Sequence, residues 1–346
     1  MNTKIAIIGS GFGMYCLLPA FSNTNKCDVV SICGKKSERM SNFCKKFNVK
    51  QYDDWKKMLD KEKPNAIAVA VIPKYQFEII KFALENNIAV FAEKPLTTNY
   101  QNSLELYELA KKNKLPNMVD FEFTQIPEWI DAKNILETEK IGKIVSIELD
   151  WTFLSYDLAN GIKSWKTNIE EGGGALSLVF SHTFYYLEYF LGKIKNINCS
   201  LSSSKNSLNH GDTTIDMKLL FQNGCNGNIH VDISDNENQK HIIKFIGTNG
   251  ELKLENFSND FLDNFELKLK LNNELQKTLH SQKLNFLNDK TEDSRIKFVA
   301  TLTNKFINWC NTGISTKPNF EDGLRVQKLI ETSRENNENN LRRSSL

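Results

Sequence analysis

The chain has 346 residues, 40% of them hydrophobic and 25% charged, with a formal net charge of +2. That length is too great for one ordinary core and points to two globular domains. The near-balanced charge argues against a nucleic-acid surface, and no apolar run approaches the roughly 20 residues of a membrane span.

In chain order, residues 4–8 form a β-branched apolar run that glycine interrupts at once, the pattern of a first strand rather than of a leader peptide. Residues 28–33 read as a second strand and 37–47 as a helix with Ser37 as its N-cap. The uniformly apolar run 66–72, ending at Pro73, fits a strand buried on both faces. A helix at 75–87, a strand at 88–92, a helix at 100–112 and a strand at 115–121 follow. Strands alternating with helices predict a doubly wound parallel sheet of Rossmann type over residues 1–122.

The pattern then changes. After a helix at 130–138, alternating runs occur at 144–153, 194–201, 214–221, 227–233, 241–246 and 265–271. Asn-Gly turns at Asn223-Gly224, Asn226-Gly227 and Asn249-Gly250 punctuate them. These predict a second α/β domain, residues 123–335, with a large open, mostly antiparallel sheet. Helices are expected at 294–311 and 321–334, and residues 336–346 read as a polar tail.

The cysteines (Cys16, Cys27, Cys33, Cys44, Cys199, Cys225, Cys310) are odd in number, and none has C-x-x-C spacing. Reduced thiols of a cytoplasmic protein are the simplest reading, without disulfide or zinc. His182, His210, His230, His241 and His280 lack the spacing of a metal site, so no metal is expected.

Gly9-Ser10-Gly11-Phe12-Gly13-Met14 lies where the first strand meets the first helix. Gly9 permits the tight turn, and Gly11 lets the backbone approach a pyrophosphate whose charge a helix N-terminus favours. The third glycine position of G-x-G-x-x-G holds Met14, with Gly13 one place early. A dinucleotide turn contacting Gly9, Gly11, Phe12 and Gly13 is the reading; a tight turn without ligand is the alternative. The second strand ends Ser31-Ile32-Cys33-Gly34-Lys35-Lys36, with no carboxylate for a ribose 2′-hydroxyl. Lys35 and Lys36 would instead attract a 2′-phosphate, which favours NADP(H) over NAD(H). Two solvated lysines are the plainer alternative.

Further along stand Phe91-Ala92-Glu93-Lys94-Pro95-Leu96, then Glu171-Gly172-Gly173-Gly174-Ala175-Leu176 and His182. With the glycine turn, this ordered set resembles the glucose–fructose oxidoreductase/inositol dehydrogenase (Gfo/Idh/MocA) family. Further matches are Ala70-Val71-Ile72-Pro73, Ile141-Gly142, Ile246 to Gly250, and Asp322 to Gln327. The resemblance covers roughly residues 3–335. It implies NAD(P)-linked hydride transfer on a sugar, polyol or related carbonyl, with Lys94 and His182 facing the nicotinamide. It also implies dinucleotide contacts from Ile72, Pro73, Gln76, Glu93 and Lys94, and a homodimer or homotetramer paired through the second sheet.

Hydride transfer needs a partner for the hydroxyl proton, and a lysine fixed at a strand end can serve. The catalytic candidates are therefore Lys94 and His182; a solvated lysine and a core histidine within Phe180, Phe184, Tyr185 and Tyr186 are the alternatives. Residues 151–171 hold Trp151, Phe153, Tyr156, Lys163, Trp165 and Lys166, suited to an anionic sugar derivative, or else to core and surface. Substrate contacts are expected from Lys94, Trp165, His182 and Tyr186. The chain departs from the family at Leu178 and Tyr185, where aspartates are common, at Gln76 in place of a histidine, and at Thr124 in place of an arginine. Those departures keep open a second reading, a catalytically silent dinucleotide sensor of the same fold.

Overall fold

The computed structural model of the chain describes residues 2–204, 211–235, 237–284 and 293–344; His210 lies outside them. The first unit begins with β1 (Thr3–Ile8), a π-helical turn (Gly13–Leu17), α1 (Leu18–Ser22), β2 (Cys27–Cys33), α2 (Glu38–Phe47), β3 (Lys50–Tyr52) and α3 (Trp55–Glu62). It continues with β4 (Ala66–Val69), α4 (Pro73–Glu85), β5 (Ala89–Ala92), α5 (Tyr100–Lys112) and β6 (Asn117–Val119). The six strands are parallel in the order β3-β2-β1-β4-β5-β6, and the order reverses between β1 and β4. In such a sheet, ligands bind beyond the carboxyl ends of the strands at that reversal.

Local chemistry explains the elements. Strands β4 and β5 are buried at every position, as strands covered on both faces must be. Ser37 caps α2 by accepting from the Met40 amide at 3.1 Å, as expected from sequence. Asp54 does the same for α3, and Pro73 occupies the first turn of α4. The short β3 and α3 were absent from the sequence expectation.

The second unit contains α6 (Pro127–Glu137), β7 (Ile144–Thr152), α7 (Tyr156–Ala159), α8 (Ala175–Leu178) and α9 (Phe180–Leu191). Strands β8 (Ile194–Ser202), β9 (Thr214–Phe221), β10 (Asn226–Asp232), β11 (Lys240–Gly247), β12 (Gly250–Asn256), β13 (Glu266–Leu271) and β14 (Lys277–Leu279) follow. The eight-stranded sheet runs β14-β13-β12-β11-β7-β10-β9-β8, antiparallel except between β7 and β10. Strand β9 alternates buried and open positions, Ile215, Met217, Leu219 and Phe221 facing the core. The opposite face carries Glu148, Asp150, Asp216, Lys218, His230 and Lys244.

Helices α10 (Ile296–Thr312) and α11 (Phe320–Ser344) end the chain. The division into units is not a single cut. The described residues of Met1–Glu122 and Phe286–Gln327 form one compact body, those of Phe123–Asn285 and Lys328–Leu346 the other. Helix α10 and the first turns of α11, expected within 123–335, thus pack with the first unit. Helix α10 is apolar on the face that meets Phe21 and Phe91, and it completes the first core. Nor does the last helix stop where the polar tail was expected: Asn336 and Asn337 accept from the backbone amides of Cys199 and Leu201 on β8, each at 2.9 Å.

Candidate functional site

In the first unit the site begins at the carboxyl end of β1. Gly9 has φ +137°, and a Cβ there would run into the Ala70 carbonyl oxygen, so only glycine fits. Gly11 is exposed, and a Cβ on it would meet nothing within 4 Å, which leaves open space over the turn. Its carbonyl accepts from Met14 and Tyr15, so the helical turn starts here with Gly13 packed against Ile7. The Phe12 ring stands 5.8 Å from Tyr15, and the guanidinium of Arg295 lies 4.8 Å from the Phe12 centroid. A two-pronged ion pair with Asp293, at 2.9 and 2.7 Å, fixes Arg295. Sequence reasoning missed Arg295, because it lies far along the chain with no local motif.

Strand β3 changes the reading of the β2 edge. It pairs with β2 at Cys33 and Tyr52, which puts Asp53 next to Lys36, 2.6 Å from its ammonium. That contact lowers the Asp53 pKa. The expectation that no carboxylate is available at this edge is corrected: the carboxylate comes from the neighbouring strand. Lys35 is exposed.

Ile72 caps α4 and Pro73 opens it. Gln76, one turn on, is 1% exposed, and its amide nitrogen donates to the carbonyls of Glu93 (2.6 Å), Pro95 (3.0 Å) and Leu96 (3.1 Å). Gln76, expected as a dinucleotide contact, ties down the loop after β5 through this nitrogen. That loop contains the cis Lys94–Pro95 peptide. Glu93 accepts from the Lys94 amide at 3.1 Å. Around Lys94, burial raises the pKa of Glu93 and Asp120 and pushes Glu122 up to about 7; the Glu93 carboxylate adds to the rise of the other two, and the Lys94 charge opposes all three.

In the second unit, the three glycines lead into α8 and α9. Gly174 has φ +86°, and a Cβ there would strike the carboxylate of Asp212. Asp212 accepts from the Leu176 amide at 2.7 Å and pairs with Arg334 at 3.5 Å. Arg334 also donates to the Gly173 carbonyl (3.2 Å) and the Ser177 hydroxyl (3.0 Å). Neither Asp212 nor Arg334 belongs to a motif in the sequence. His182 sits in the first turn of α9, 6% exposed, with its ring 5.0 Å from that of Phe123. Trp165 lies half-buried in a 3-10 turn that Ser164 caps.

Tyr186, expected to contact substrate, and Trp151, left open between pocket and core, both lie in the core. Tyr186 is fully buried, edge-on to Trp129 at 4.9 Å, and its hydroxyl is occupied by Thr183 (3.1 Å) and His241 (3.4 Å). Burial drives its pKa upward, so it is corrected from substrate contact to packing. For Trp151 the core alternative holds: it stacks on His241 at 4.2 Å and is 4% exposed. The sequence could not separate these aromatics from accessible ones, because both kinds sit on the same periodic faces. Among the described residues no group of three His, Cys, Asp or Glu side chains could hold a metal, and no helix is long and apolar enough to cross a membrane.

Comparison with known proteins agrees with this architecture. Residues 3–121 match the model of an oxidoreductase family with an NAD-binding Rossmann fold, and residues 133–341 match its C-terminal α/β domain. An uncharacterized oxidoreductase of Synechocystis is 29% identical over 202 residues, 58% of this chain and 54% of the relative. The match thus spans about half the length of that protein. A solved levoglucosan dehydrogenase in complex with NADH and levoglucosan has a TM-score of 0.84 at 20% identity, covering 98% of each chain. A 3-ketoreductase from Actinomadura kijaniata, in complex with TDP-benzene and NADP, has a TM-score of 0.77 at 20% identity, covering 96% of this chain and 97% of that one. The two family models together cover most of the sequence, and the chain belongs to the Gfo/Idh/MocA oxidoreductase family.

Proposed function

We propose that this chain transfers hydride between a nicotinamide dinucleotide, NADP(H) ahead of NAD(H), and a hydroxyl or carbonyl group of a sugar or sugar derivative. One observation carries the reading: Lys94 stands at the carboxyl edge of the same parallel sheet whose β1 end forms the open turn at Gly11. Backbone at Gly9, Gly11 and Gly13 holds the pyrophosphate, with Phe12, Ile72 and Pro73 beside it. When bound, the nicotinamide supplies or accepts the hydride. Lys94 donates its proton to the carbonyl oxygen during reduction and takes it back in the reverse direction. In the second unit His182 and Trp165 are the proposed substrate contacts, the imidazole as a proton-exchanging group and the indole as an apolar face for a sugar ring. Lys35 supports the NADP preference; Lys36 adds to it once a phosphate competes with Asp53. NADH in one relative's structure and NADP in another's support the cofactor class. The polar face of the eight-stranded sheet is the proposed contact of a homodimer or homotetramer. The free cysteines, mostly buried with raised pKa values, fit a cytoplasmic location.

Fluorescence titration with NADPH and NADH, followed by NADPH oxidation with a panel of sugar carbonyls, tests this. Lys94→Ala is expected to lower kcat about 10²-fold or more while dinucleotide Kd stays within about threefold. Absence of binding by either dinucleotide refutes the assignment. Binding with no turnover on any substrate supports the silent sensor instead.

A further inference from the structure

Beneath Lys94 the first unit buries more negative charge than the reading above requires. Glu93 ends β5, and Asp120 follows β6, the next strand in the sheet. The Asp120 amide donates to the Ala92 carbonyl at 2.9 Å, which holds the two strand ends together. Asp120 is 1% exposed, and neither of its carboxyl oxygens receives a hydrogen bond from any described donor. Ala92 pairs with Val119 where β5 and β6 end, which sets Glu93 beside Asp120 at the next register position. Two ionised carboxylates are both acceptors, so a contact between them is a hydrogen bond only when one of them carries a proton. An ionised Asp120 without a donor, at this depth, would be strongly disfavoured.

We propose that Glu93 and Asp120 share one proton, Asp120 carrying it and donating to the Glu93 carboxylate, and that this acid pair sets the charge facing Lys94. The inference rests on the proposed role of Lys94 as the proton-exchanging group. The other charged or titratable groups that act on the cluster are Glu122 after β6, the Arg295–Asp293 pair at the start of α10, and the Cys16 thiol of the glycine-turn helix. With the shared proton in place the pair contributes a single negative charge opposite the Lys94 ammonium. Loss of that proton adds a second charge and holds the Lys94 proton to higher pH. Glu93 and Asp120 are thus positioning residues that act through Lys94. Burial raises both carboxyls above the usual carboxylate range, Asp120 the more strongly, in agreement with its holding the proton.

Infrared spectra of the full-length chain without dinucleotide test the pair independently of turnover. The expected result is a protonated-carboxyl stretch at neutral pH that shifts on labelling with aspartate bearing ¹³C in its carboxyl groups, disappears in Asp120→Asn, and survives in Glu122→Gln. Glu93→Gln, in which Asp120 has an amide donor and no need of the proton, is also expected to lose it. The isotope shift needs no substitution, so a poorly folding variant leaves the test intact. The pKa of Lys94, read by NMR of ¹⁵N-lysine-labelled protein with Lys94→Arg for assignment, is expected to fall by about one unit in Asp120→Asn. No protonated aspartate at neutral pH, or an unmoved Lys94 pKa, overturns the proposal. Failure to bind dinucleotide overturns the functional reading alone, because neither measurement uses the cofactor.

Discussion

The imidazole of His241 lies flat on Trp151, 2° from parallel, with the rings of Phe123, Trp129 and Phe265 edge-on around it. Burial in this apolar cluster pushes its pKa down to about 3. In the unfolded chain the same group takes a proton near its usual value of about 6.5. Between those values the unfolded state binds more protons. The contribution to stability is therefore fully present above the unfolded pKa and is lost as pH falls toward 3. Its size is at most about 5 kcal/mol. His241→Phe keeps the stack and removes the titration, losing only the 3.4 Å contact to Tyr186. The acid-unfolding midpoint, followed by tryptophan fluorescence, should move to lower pH. An unchanged midpoint would show that other groups govern acid unfolding.

At the scale of elements, the entry into α8 and α9 depends on a partner far along the chain. Arg334, on α11, holds Gly173, Ser177 and Asp212 together, and so fixes where the helix bearing His182 begins. Arg334→Ala leaves the buried Asp212 carboxylate without its cation. It is expected to cost about 2–3 kcal/mol in urea unfolding of the second unit. Substrate KM should rise by more than dinucleotide Kd, since the glycine loop and not the β1 turn is released. Equal changes in both would place the effect in global stability alone. The same arrangement shows what sequence makes legible. The alternation of strand and helix, the turn at Gly9, the Ser37 cap and the long strands of the second sheet all follow from local periodicity or local backbone geometry. Asp53 beside Lys36, Arg295 over Phe12 and Arg334 on Asp212 do not, because each is a contact between elements whose pairing no short pattern encodes. Tyr186 and Trp151 were not legible for a related reason: an aromatic on an amphipathic face looks the same whether its far end meets ligand or core.

For the whole molecule, the central consequence is that the first core closes only with helix α10. Phe21, Phe91 and Phe306 form a triangle of edge-on rings with centroids 5.3, 6.3 and 5.8 Å apart, all fully buried. Phe91 belongs to β5, just before Lys94, while Phe306 comes from the far end of the chain. The dinucleotide-binding unit thus cannot finish folding until most of the chain exists, and long-range contacts of this kind slow folding. Truncating either ring leaves a cavity, and Phe91→Ala and Phe306→Ala are each expected to cost about 3–5 kcal/mol. Because they face one another, their effects should not add: a double-mutant cycle should give an interaction of about 1 kcal/mol. Both variants should shift the unfolding transition that bound dinucleotide stabilises. If Phe306→Ala instead shifted a transition insensitive to the dinucleotide, α10 would have to fold with the second unit, and the division of the chain drawn from its packing would be wrong.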